Sequence, residues 1–62
     1  MQTVSYQKAR NEILALLAVW PLEYARLRQC CASDSQCLGI LRNLLLKGTI
    51  IADALGAFRL NQ

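Results

Sequence analysis

Ser33-Asp34-Ser35-Gln36-Cys37-Leu38-Gly39-Ile40-Leu41-Arg42-Asn43-Leu44-Leu45-Leu46-Lys47-Gly48 decides the fold, because it carries both the start and the stop of one helix. Ser33 followed three residues later by Gln36 fits a capping box. The serine hydroxyl takes a free backbone amide, and the glutamine reaches back to the start. Asp34 places negative charge at the positive end of the helix dipole. At the far end Lys47 places a cation where it helps, and Gly48 supplies the left-handed residue that closes a helix. The stretch predicts a helix over 34–47. Its period turns Cys37, Ile40, Leu41, Leu44 and Leu45 to one side. Ser35, Gln36, Gly39, Arg42, Asn43 and Leu46 fall on the other.

Downstream the period shortens. Thr49-Ile50-Ile51-Ala52 is β-branched, and Ala57-Phe58-Arg59-Leu60 alternates. The turn between them, Asp53-Ala54-Leu55-Gly56, ends in a glycine suited to positive φ. A hairpin is predicted over 49–60, with Ile50, Phe58 and Leu60 toward the helices, since two strands do not stand alone. Upstream, Tyr24, Leu27, Cys30 and Cys31 make an apolar stripe, and Glu23, Arg26 and Gln29 point elsewhere. That pattern predicts a second helix over 22–32, with Glu23 in its first turn. Tyr6, Ala9, Ile13, Leu16, Leu17 and Trp20 recur at three- and four-residue steps, predicting a first helix over 5–20. Thr3 or Ser5 caps its start, and Pro21 disfavours helical geometry at Trp20 and ends it. The fold class is mainly α with a small β-hairpin, a single domain over residues 1–62.

A chain of 62 residues buries only roughly 60% of the surface its unfolded form exposes. Hydrophobic residues supply 55% of the sequence and aromatics only 6%, so a dense aliphatic core must stabilise it. That apolar surplus exceeds what one small domain easily hides, and a homodimer or a protein partner is expected. Net charge is +3, from seven basic and four acidic residues spread along the chain. This permits nucleic-acid binding without demanding it. Cys30, Cys31 and Cys37 are an odd count with an adjacent pair, which suits free thiols in a reducing, cytoplasmic compartment. The apolar run 13–22 after Lys8 and Arg10 is similar to a signal-peptide core. Glu12 at its edge and the lack of a small-residue cleavage site argue against export. The run is also too short to cross a bilayer, so no membrane partner is expected.

Catalysis finds no support in the residue types. The chain has no histidine, its four carboxylates are scattered, and no nucleophile has an evident base. No glycine loop is spaced to cradle a phosphate. Zinc takes four ligands, and a Cys-Cys pair with one further cysteine fits no common site. The expectation is a non-enzymatic chain without metal or other cofactor.

The order helix, helix, turn, longer helix, hairpin resembles the winged helix-turn-helix superfamily, and the resemblance covers nearly the whole chain. It rests on Ile13-Leu14-Ala15-Leu16-Leu17, on Pro21-Leu22, on Ser33, and on residues 41–50 running from the third helix into the first strand of the hairpin. Small bacterial and phage DNA-binding transcription regulators are the nearest kind. The resemblance implies a three-helix domain that lays its third helix in the major groove of double-stranded DNA and its hairpin wing along the backbone. Ser35, Gln36, Gly39, Arg42 and Asn43 then occupy the base-facing positions. Gln36 suits adenine, and Arg42 suits guanine or a phosphate. Arg26, Arg28, Lys47 and Arg59 become phosphate contacts that set register. Family turns commonly carry Gly before the third helix, where this chain has Cys31-Ala32, and its wing tip lacks a cation. Leu38, Leu46 and Leu55, apolar at positions expected to face solvent, point to a second class of function. That class is a winged-helix protein-interaction module, such as a phage-type adaptor or inhibitor that does not bind DNA.

Overall fold

The structure, a computed structural model, describes residues 5–61. It contains α1 (Tyr6–Leu17), β1 (Leu22–Glu23), α2 (Tyr24–Arg28), α3 (Asp34–Leu46), β2 (Ile50–Ala52) and β3 (Ala57–Leu60). The three helices pack with one three-stranded antiparallel sheet of order β1-β3-β2.

Ser5 caps α1, its hydroxyl accepting the Lys8 amide at 3.1 Å; Thr3, the other candidate cap, lies outside the described residues. The helix ends at Leu17, three residues before the expected boundary. Val19 and Trp20 both donate to the Leu16 carbonyl in a closing turn, since Pro21 cannot continue the helix. The buried row of α1 is Ala9, Ile13 and Leu17. Trp20, expected on that face, lies beyond the helix and is 64% exposed. Leu16 stands one residue off the row, about 100° around the axis, and is also exposed, as is Tyr6 in the first turn.

The second helix is shorter than its stripe predicts. Leu22 and Glu23 are strand, paired with Phe58 and Ala57 of β3. An extended residue after Pro21 is well placed to add a third strand. Residues 29–31 close in tight i→i−3 bonds, Gln29 to Arg26, Cys30 to Leu27 and Cys31 to Arg28. The expected 22–32 helix is therefore Tyr24–Arg28 with a narrowed turn behind it. The expected hairpin is correspondingly the larger part of a three-stranded sheet.

α3 starts and stops as its end signals predict. Ser33 Oγ accepts the Gln36 amide at 3.1 Å. The Gln36 side chain reaches back one residue farther than a capping box does, its Oε1 accepting the Ala32 amide at 2.8 Å. Gly48, at φ 74°, closes the other end: its amide donates to Leu45 O and the Thr49 amide to Leu44 O. These are the paired bonds of a Schellman motif.

The buried core joins Ala9, Ile13 and Leu17 to Leu27, Cys31, Cys37, Ile40, Leu41, Leu44 and Ile50. Phe58 and Leu60 cover one side of it. Leu45, at the edge of the buried face of α3, remains partly exposed. At the hairpin tip Asp53 Oδ1 accepts the amides of Leu55 and Ala57, and Gly56 takes φ 86°. At the open end Asn61 donates its backbone amide to Thr49 O and its side-chain amide to Gly48 O. Among the described residues no helix is long and apolar enough to cross a membrane.

Leu44→Ala, which empties a fully buried site, is expected to lower unfolding free energy by about 2–5 kcal/mol. Leu46→Ala, at a solvent-facing site, should change it by less than about 0.5 kcal/mol. Gly48→Ala should cost about 1 kcal/mol, because the space around Gly48 is open and only the left-handed backbone resists. Urea denaturation followed by circular dichroism checks all three.

Candidate nucleic-acid interface

Four inward residues fix α3, so its outward face is fixed as well. Ser35, Gly39, Arg42 and Leu46 follow one another at helical steps of four, three and four residues, all exposed. Leu38, 56% exposed, lies beside this stripe, and Leu46 near its end is 78% exposed. Among the described residues the Arg42 side chain makes no hydrogen bond or ion pair. Gln36 and Asn43 sit on the flank, half buried. The carbonyl end of Gln36 is committed to the turn before the helix. Of the five base-facing candidates, the structure brings Ser35, Gly39 and Arg42 onto one open stripe.

The four phosphate candidates scatter. Arg26 is exposed on α2 and Lys47 just past α3. Arg59 lies on β3 at a shallow cleft of about 220 Å³, beside Leu17, Trp20 and Pro21 where α1 joins β1. Arg28 is already engaged: its Nε pairs with Asp34 Oδ1 and its Nη1 donates to Cys31 O at 3.0 Å. Tyr24 donates its hydroxyl to the same Asp34 oxygen at 3.1 Å. This Tyr24–Arg28–Asp34 cluster ties α2 to the first turn of α3. The Arg28 guanidinium, and after it the Tyr24 hydroxyl, holds the Asp34 carboxyl below its ordinary range. The Arg28 guanidinium is pushed up mainly by its bond to Asp34. Partial burial, then the neighbouring carboxylate, pushes the Tyr24 phenol up. Tyr24 and Arg28 are four apart on one helix, a recognisable pair, but their convergence on Asp34 depends on how α2 meets α3. Leu55, the third apolar candidate, is 94% exposed at the hairpin tip.

The thiols are packing groups at the helix junction. Cys37 is fully buried and Cys31 nearly so; Cys31 Sγ lies 3.7 Å from Leu27 O. Burial, reinforced by the Cys31 thiol, pushes Cys37 up to about 12. Burial also raises Cys30, with Glu12 adding to the effect. Among the described residues no group of three potential ligands converges on a metal position. No protein-family model, curated protein or solved structure matches the chain.

A disulfide reagent should label half-buried Cys30 in the native chain, while Cys31 and Cys37 react only as the chain unfolds. Because Cys37 holds its proton to about 12 when folded and to 9.0 otherwise, its contribution is full below pH 9. That contribution is lost as pH rises from 9 to 12. Cys37→Ala should therefore show a shallower loss of stability over that window in denaturant titrations.

Proposed function

We propose that this chain is a non-enzymatic winged helix-turn-helix domain that binds double-stranded DNA, in the manner of small bacterial and phage transcription regulators. In this reading α3 enters the major groove and the β2–β3 hairpin is the wing. The observation that carries it is the open stripe Ser35, Gly39, Arg42 on a helix held rigidly from behind. The order of three helices followed by the β2–β3 hairpin supports it, because that is the order on which the resemblance rests. Arg42 suits a guanine edge or a phosphate, and Ser35 suits a base or a phosphate. Gly39 leaves open space above its Cα, which lets a backbone come close. Arg26, Lys47 and, from the wing, Arg59 carry the phosphate contacts, while Arg28 is held by Asp34.

A net charge of +3 gives a single copy few phosphate contacts, so the reading includes a second copy on a two-fold site. The three free thiols suit the reducing cytoplasm. One set of observations favours a different class, a protein-interaction module. Leu38 and Leu46 border the α3 stripe, and Leu55 caps a hairpin tip that carries no cation.

Amide NMR spectra during titration with a mixed-sequence duplex test the reading. Shifts at Ser35, Gly39 and Arg42 that fade as salt rises are expected. Arg42→Ala should weaken binding, and loss of one phosphate contact lowers the salt slope by about 0.9. Lys8→Ala, on the outer face of α1, should leave binding nearly unchanged. Unmoved peaks at low salt would transfer the function to the leucine surface and a protein partner.

A further inference from the structure

Asp34 opens α3, and it is the one acid on that helix. A carboxylate there suits the helix dipole and fastens α2 to α3, but it would oppose an approaching phosphate. Its bonding limits that opposition. Tyr24 and Arg28 both donate to Oδ1, which fixes the position of the group and offsets its charge. Among the described residues no hydrogen bond reaches Oδ2, and the side chain is 73% exposed. The result is a held carboxylate with one oxygen left to accept, in the first turn of α3 on the α2 side, about 100° around the axis from Ser35.

A carboxylate accepts and cannot donate. Within the major groove the donors are the cytosine N4 amine and the adenine N6 amine. Adenine sets the N7 acceptor beside its amine and so favours an amide side chain. Cytosine offers its amine without an acceptor of its own beside it in the groove, which favours a carboxylate. We propose that Asp34 reads cytosine through Oδ2, with Tyr24 and Arg28 as its positioning residues. The proposal rests on the DNA-binding reading above and adds to it a base and the group that selects it.

Selection from a duplex library with a randomised core, followed by sequencing, tests it for the intact chain and for Asp34→Ala, Asp34→Asn and Arg28→Gln. Thermal melts establish that each variant folds. The original chain is expected to enrich cytosine at one position. Replacing that C·G pair by T·A should weaken it about tenfold. Asp34→Ala should lose the preference at that position and keep the others. Asp34→Asn should move it toward adenine, which an amide reads. Arg28→Gln should blunt it without altering the remaining positions. Cytosine enrichment that persists in Asp34→Ala, or a bound site without a cytosine preference, would overturn the proposal and leave DNA binding standing. If the intact chain binds no duplex even at low salt, the reading and the proposal fall together.

Discussion

The burial of one face of α3 is the contact on which the rest depends. Cys37, Ile40, Leu41 and Leu44 meet Ala9, Ile13 and Leu17 of α1, with Leu27 and Ile50 completing the enclosure. A domain this small has little surplus apolar area with which to compensate a defect. Among the described residues no polar or charged residue is buried, so desolvation penalties stay low and packing quality decides stability. The same burial aims the opposite face. A helix clamped along one side cannot roll, and the outward side chains inherit that rigidity.

Two further devices fix the ends of α3. At its start, the Ser33 cap and the Gln36 bond hold the turn, while Tyr24 and Arg28 fasten Asp34. At its end, Gly48 reverses the backbone and delivers Ile50 into the core one residue after Thr49. Helix, turn and first hairpin strand thus behave as one unit. What happens at the hairpin tip is coupled to the helix through very few bonds and very little chain.

Legibility in the sequence followed the range of the interactions. α3 was readable because its determinants, Ser33, Gln36, Lys47 and Gly48, act within one turn of their own position. The hairpin was readable for the same reason, from β-branched Ile50 and Ile51 and from Gly56. β1 was not, because two residues carry no periodicity and Leu22 becomes strand only by meeting Phe58, far along the chain. The exposure of Trp20 was hidden by a period that runs past the true helix end. Of the candidate interface, Ser35, Gly39 and Arg42 could be placed from helical spacing alone. The engagement of Arg28 could not, since its partner lies on another helix across a turn of irregular geometry.

The sheet order has a consequence for the order of synthesis. β3, near the C-terminal end of these residues, is the central strand, and both β1 and β2 bond to it rather than to each other. Until residues 57–60 are available, β1 has no partner and β2 presents unpaired backbone to solvent. The helices can collapse earlier, because all three precede β3 in the chain, but the sheet cannot close until β3 has been made. A growing chain therefore passes through a helical, sheetless stage, and closure of the sheet is a single later event in which β3 takes up both of its neighbours.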